Sequence, residues 1–354
     1  MARRTGGERL AYADLLRVCA AAAVVVSHLA GSRIGGVAVT GRDFQALNLY
    51  DGLTRWCVPV FVMLSGMFLL DPDRPLPLSK LLFRSALRVL VCLFAYGTLY
   101  AWLDRGAPRS WAGVKSALGD VLRAHTHYHL WFLYMILGLY LVTPILRAFC
   151  RGAEAREFRW FFLTAFLFAS ALPTLFQLWP NASAPLPAWI DRLEVRAVLG
   201  YVGYYVAGYF LKSRALSRPA QALIYALGCL GAVATVGGTA LLSRRAGELV
   251  TVLYSNYAPN VVCFSVAVAV LFRYVLGVSD EGSRRQRLAG AAEISFGVYL
   301  VHDLFLMLLT RLGVSVLSFP PALSVPLLAA AVFLCSLAAA WLLSRLPLLG
   351  RWLT

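Results

Sequence analysis

The stretch Tyr12–Gly31, YADLLRVCAAAAVVVSHLAG, is long and apolar enough to cross a bilayer as a helix, yet it carries Arg17 and His28. His28 follows Arg17 by 11 positions. At about 100° per residue this is close to three full turns, so both side chains fall on one stripe, about 16 Å apart along the helix axis. An ionisable group at membrane depth is costly unless it faces a cavity or the interior of a bundle. The stripe therefore predicts a helix whose polar face lines an enclosed path, and makes this helix the strongest pointer to function in the chain.

Nine further apolar stretches follow, at 52–70, 82–103, 129–149, 160–179, 197–211, 221–242, 257–276, 291–311 and 322–344. Of the 354 residues 60% are hydrophobic and only 14% are charged, against about 25% charged in a soluble domain. The predicted fold is all-α: a polytopic membrane helix bundle of about ten transmembrane helices, with residues 1–354 forming a single integral-membrane domain. The longest connections expected are 32–51 and 104–128, and no large soluble domain fits between the spans. Nine Trp and 16 Tyr suit interfacial belts.

The formal net charge is +16. In a soluble protein this would point to nucleic acid, but here the basic residues cluster in the loops, where the positive-inside rule accounts for them. No nucleic-acid partner is expected, whereas anionic lipid is. The loops holding Arg74, Lys80, Arg147, Arg151, Lys212 and Arg214 are denser in charge than those holding Arg42, Arg109 and Arg192. Both termini are therefore expected in the cytoplasm, the first helix remaining uncleaved although Arg3, Arg4 and Arg9 precede it. The seven cysteines show no CxxC spacing and read as small apolar residues rather than disulfides or metal ligands.

Several residues carry candidate chemistry. Asp14 and Arg17 form an i, i+3 pair, either snorkelling at the headgroups or orienting Arg17 for an anion. His28 either hydrogen-bonds a neighbouring helix or takes a proton from a hydroxyl, which imidazole does near neutrality. Ala20–Ala23 between them permits close helix packing. Arg84 and Arg88, one turn apart in LLFRSALRVL, read as positive-inside anchors or as a phosphate clamp. The run HTHYHLWFLY places His125, His127 and His129 ahead of Trp131. Zinc would need an extended backbone and a further ligand there, so no metal is expected. In ISFGVYLVHDLFL, Ser295, Tyr299 and His302 share a face, and Asp303 lies one turn after Tyr299. This pair either lines the cavity or sits near the outer interface.

Taken in order, YADLLRVCA, the Arg17-to-His28 spacing, VPVFVMLSG, HLWFLYMILGLYLVTPIL and ISFGVYLVH resemble the membrane acyltransferase-3 family, which O-acylates bacterial glycans and some small products. The set is most similar to the subgroup acting on enterobacterial common antigen. The resemblance implies a membrane O-acetyltransferase of the bacterial inner membrane. Its acyl donor would be cytoplasmic acetyl-CoA and its acceptor a hydroxyl of a glycan or lipid-linked sugar. It maps the family histidine onto His28, as base or acyl relay, and the family arginine onto Arg17. The family's Arg-x-x-Arg motif is matched imperfectly, because three residues separate Arg84 from Arg88 and Ser85 stands where an arginine is expected. On this reading Arg17, Arg84 and Arg88 hold the donor phosphates with Asp14 orienting Arg17, and His129, Trp131, Tyr299 and His302 meet the acceptor. Two other classes compete: a polytopic transporter or flippase for a glycan or lipid-linked substrate, and a non-catalytic membrane subunit. Ten spans with buried charge suit the former, although no five-plus-five internal repeat is visible.

Overall fold

The computed structural model describes residues 10–179, 186–277, 283–347 and 350–353, and every regular element among them is a helix. Nine helical stretches are long and apolar enough to cross a membrane: Ala11–Ile34, Arg42–Leu69, Leu78–Asp104, Tyr128–Gly152, Ala155–Leu178, Arg218–Ala246, Val252–Tyr274, Gln286–Arg311 and Pro321–Ser344. Each coincides with a stretch expected from the sequence. The tenth expected stretch, 197–211, lies in the helix Val195–Ser213. Its tyrosines and glycines lower its hydropathy, and Tyr204, Tyr205 and Val206 are buried inside the bundle rather than facing lipid. The arginines Arg3, Arg4 and Arg9 lie outside the described residues.

Two connections differ from expectation. Residues 32–51 are not one long loop: Arg42–Thr54 is helical and leads through Arg55 and Trp56 into Cys57–Leu69. The reason is burial, since Phe44, Leu47, Asn48 and Asp51 are taken into the bundle on one side of this polar-looking helix. Similarly, 104–128 contains the amphipathic helix Trp111–Leu122, N-capped by the Ser110 hydroxyl. All seven cysteines are unpaired; Cys57, Cys92 and Cys150 are buried as expected, but Cys229 and Cys335 are exposed on the outside of the bundle.

Six helices form or brace the site. We label the first four α1 (Ala11–Ile34), α2 (Arg42–Thr54), α3 (Cys57–Leu69) and α4 (Trp131–Gly152). The two later ones are α5 (Val195–Ser213) and α6 (Ser283–Arg311). Helix α1 is central and packs against α2, α3 and α6. Ala20, Ala21 and Ala23 are buried at these contacts, where small side chains let helices approach closely.

The tightest pair is α3 with α5. The Cα of Gly66 faces the Tyr205 backbone carbonyl, and that of Gly208 faces the Met63 carbonyl, so a methyl group at either position would overlap main-chain atoms. A backbone contact cannot be relieved by a rotamer change, unlike a side-chain clash. Gly208→Ala should therefore separate the helices and cost about 1–3 kcal/mol, the usual scale of overpacking. The check is thermal unfolding of the detergent-solubilised chain, with Gly138→Ala, which meets open space, as a control that leaves the midpoint unchanged.

Candidate active site

One cavity of about 720 Å³ runs between α1, α3, α4, α6 and the segment Lys80–Val89. From α1 it is lined by Arg17, Val24 and His28, which are the positions a 3.6-residue period puts on one stripe. The expected polar face is thus the cavity face. Arg17, Lys80, Arg84 and Arg88 gather at one end, joined by Glu293, Phe296 and Trp352. His28, His129, Trp131 and Tyr299 line the other. The order of residues along α1 and α6 sets this polarity: Arg17 and Glu293 lie at the basic end, His28 and Tyr299 about three and two turns further on.

The chain around Arg84 is not a regular α-helix. Leu81–Ala86 forms a π-helical turn before the α-helix resumes at Leu87. Such bulges shift side-chain phase and recur at functional sites. Here Arg84, Ser85 and Arg88 all reach the cavity lining. The Arg88 guanidinium lies 5.5 Å from the Phe296 ring centre and that of Arg17 lies 6.0 Å from Phe68, so both are braced on aromatic faces.

At the far end four of the chain's five histidines converge with one carboxylate. His302 Nε2 is 2.9 Å from His28 Nδ1, and His302 Nδ1 is 2.6 Å from the Tyr299 carbonyl oxygen. A carbonyl only accepts, so His302 carries its proton on Nδ1 and offers a lone pair at Nε2. His28 must therefore donate from Nδ1, which leaves its Nε2 unprotonated. A second constraint agrees. The Tyr128 hydroxyl donates to Asp303 Oδ1 at 2.7 Å and lies 3.2 Å from His28 Nδ1, so toward His28 it can act only as an acceptor. Two neighbours thus fix one tautomer. Among the described residues Nε2 of His28 has no hydrogen-bond partner, and it is left as a bare base on a ring that lines the cavity.

A parallel chain starts from the other carboxylate oxygen. Asp303 Oδ2 is 3.3 Å from His127 Nε2, and His127 Nδ1 is 3.0 Å from His129 Nδ1. With the His127 proton on Nε2, His129 donates from Nδ1. The Tyr299 hydroxyl donates to the His129 backbone carbonyl at 2.6 Å, and Tyr100 donates to the Leu300 carbonyl at 2.8 Å, so the turn before α4 is locked to α6. His127, His129 and Asp303 bring potential metal ligands within 4.8 Å of one another, as do His28, His302 and Asp303. The ligand that the HxH spacing needed is therefore present in space, although these same nitrogens are already engaged with one another and with the carboxylate.

Of the residues expected at the site, Arg17, His28, Arg84, Arg88, His129, Trp131 and Tyr299 all line the cavity. Two do not. Asp14 is buried outside the lining, and His302 is fully buried behind His28, with its Nε2 2.9 Å from His28 Nδ1. Its position answers the question left open for the His302–Asp303 pair: both are enclosed. His125 is exposed and takes no part. Sequence reasoning gave no role to Tyr128, His127 or Lys80. The signal for the first two was present in HTHYH, but only the fold sets it against Asp303.

Beside His28, Ser27 donates to Asp51 Oδ1 at 2.8 Å, and Asp51 forms an ion pair with Arg55. The Arg55 guanidinium rests 4.2 Å from the Tyr254 ring centre. This half-buried pair, in which Asp51 is enclosed and Arg55 is 27% exposed, ties α2 to α1 one residue from His28. Removing Asp51 leaves the partly exposed Arg55 charge uncompensated, at a cost below the roughly 3–5 kcal/mol of a fully buried pair. Asp51→Ala should accordingly lower the unfolding midpoint, and Asp51→Ala with Arg55→Met should recover part of the loss, read by thermal unfolding of the three proteins side by side.

The fold and this site define a polytopic membrane protein whose cavity is basic at one end and lined by histidines at the other. The sequence profile of the acyltransferase-3 family, described as an acyltransferase domain, matches residues 10–345, and the chain belongs to that family. No curated protein and no solved structure matches the chain. The protein is a multi-pass membrane acyltransferase.

Proposed function

We propose that the protein is an O-acetyltransferase that takes acetyl groups from cytoplasmic acetyl-CoA and places them on a hydroxyl of a glycan or lipid-linked sugar. The observation that carries this reading is the single cavity joining Arg17, Lys80, Arg84 and Arg88 to His28. Guanidinium groups pair phosphate oxygens bidentately, so the basic end suits the phosphates of a nucleotide-bearing donor. The axial run of about 16 Å from Arg17 to His28 is of the order spanned by an extended pantetheine arm. A donor anchored by its phosphates would thus present its thioester beside the imidazole. Trp131, Phe132 and Tyr299 offer aromatic faces to an acceptor sugar at that end.

His28 Nε2 takes the proton of the acceptor hydroxyl as the oxygen attacks the thioester carbonyl. The imidazolium so formed is stabilised by its Nδ1 hydrogen bonds to His302 and Tyr128. As the C–S bond breaks, the proton passes to the departing thiolate, and CoA leaves as the thiol. Atoms and charge balance without an external oxidant or base. On this reading the termini are cytoplasmic, the membrane is a bacterial inner membrane, and the acceptor approaches from the outer side. The transporter alternative lacks a role for a base whose tautomer is fixed twice over.

His28→Ala should remove acetyl transfer without loss of folding, a general base being worth about 10²–10⁴-fold. The check is label from radioactive acetyl-CoA appearing in glycan and lipid extracts of membranes that contain the full chain. Retained transfer by a folded variant refutes the role. Arg84→Ala and Arg88→Ala should each weaken donor binding by about 10- to 100-fold, the loss of one charged hydrogen bond. Stabilisation of the wild-type chain against heat by acetyl-CoA, reduced in these variants, reads this directly. A transporter of sugars would show no such stabilisation.

A further inference from the structure

We infer that Asp303 is a positioning residue that sets the proton on His28 through Tyr128. The inference rests on the reading of His28 as the base and extends it to a residue one side chain removed. Asp303 is 2% exposed and its two oxygens face different partners: Oδ1 takes the Tyr128 hydroxyl at 2.7 Å, and Oδ2 lies 3.3 Å from His127 Nε2. An ionised carboxylate only accepts. It therefore draws the phenolic proton away from His28 and turns the Tyr128 oxygen into an acceptor for His28 Nδ1–H. The consequence at the far side of the ring is a lone pair on Nε2. Tyr128 itself is 58% exposed, so the phenol would otherwise be free to rotate and to choose its acceptor. The buried carboxylate removes that choice.

The effect of replacing Asp303 has a definite sign. In Asp303→Asn the carboxamide oxygen is claimed by His127 Nε2–H, and its NH2 faces Tyr128. The Tyr128 oxygen now accepts from the amide, and its own proton turns toward His28 Nδ1. That drives the imidazole to the opposite tautomer, with the proton on Nε2, where it cannot act as a base. His302 opposes the change, because its Nε2 lone pair still faces His28 Nδ1. The outcome is two His28 populations in place of one. Removing the phenolic hydroxyl as well removes the wrong donor, so Asp303→Asn with Tyr128→Phe should return His28 to a single form. A merely structural role for Asp303 would make the double variant worse than the single one.

The test is nitrogen NMR of the full chain in lipid nanodiscs, with histidine ring nitrogens labelled. Protonated and lone-pair imidazole nitrogens differ widely in shift, only five histidines are present, and His28→Gln assigns the signals. The wild-type chain should show His28 protonated at Nδ1 alone. Asp303→Asn should add an Nε2-protonated population, and the double variant with Tyr128→Phe should abolish it. If Asp303→Asn does not fold, Asp303→Ser serves, because it also frees the phenol from its carboxylate. A His28 that stays singly Nδ1-protonated in the Asp303 variant overturns the inference, as does an Nε2-protonated population that survives in the double variant. Acetyl transfer by His28→Ala, followed separately, decides the base assignment itself. Its failure would leave the tautomer result intact.

Discussion

The Tyr299 carbonyl can accept a hydrogen bond but cannot give one, and the order of the deep end of the cavity depends on that. Because His302 spends its Nδ1 proton on this oxygen, its other nitrogen can only receive, and His28 must supply the proton. Inside a bundle with little water, a buried polar atom has few alternatives, and leaving one unmade costs about 1–3 kcal/mol. The chain of donors is therefore unidirectional. It runs from His28 toward the helix backbone of α6 and, through Tyr128, toward Asp303. What remains at the cavity wall is an unsatisfied lone pair on His28, a residue positioned by two others, beside His129, whose Nε2 is likewise buried without a partner among the described residues.

This arrangement needs α1, α4 and α6 to hold still relative to one another. The alanines of α1 allow the approach, and polar locks then fix the register. Tyr299 holds the turn before α4, Tyr100 holds α6, and the Asp51–Arg55 pair holds α1 through Ser27. Each lock satisfies a main-chain or charged group that lipid could not. The same principle explains the reciprocal glycine contacts of α3 and α5 outside the site: between helices surrounded by hydrocarbon, close backbone packing replaces the hydrophobic effect as the source of association.

Much of this was legible in the sequence, because hydropathy and helical period are local properties. The spans, and the placement of Arg17 and His28 on one cavity-facing stripe, follow from spacing alone. The helix Arg42–Thr54 did not, because its residues look polar and its burial depends on partners far along the chain; Asn48, for instance, donates to the Val236 carbonyl. The burial of His302 was illegible for a related reason. Periodicity shows that Ser295, Tyr299 and His302 share a face, but not that the face is divided. Tyr299 borders the cavity, whereas His302 stands behind another ring. The π-helical turn at Leu81–Ala86 was equally silent in the sequence, although it decides how Arg84 and Arg88 reach the cavity.

The separation between the basic residues and His28 bears on how the proposed chemistry would run inside a membrane protein. Charges that hold a polyanion need water nearby, or the cost of desolvating them exceeds the attraction. A base that attacks through a neutral imidazole needs the reverse, an enclosure where its lone pair is not already hydrated. Helix α1 resolves the conflict by length: Arg17 and His28 sit on one rigid element, about three turns apart, at two depths of one cavity. On the proposed reading, only the reactive end of a long, flexible donor would enter the histidine-lined end, and its charged end would stay at the mouth. Shortening that distance by moving either residue one turn would bring the guanidinium toward the imidazole, where its positive charge would oppose the imidazolium of the proposed transfer. On that reading, electrostatics constrains the spacing of the two residues as much as the length of the donor does.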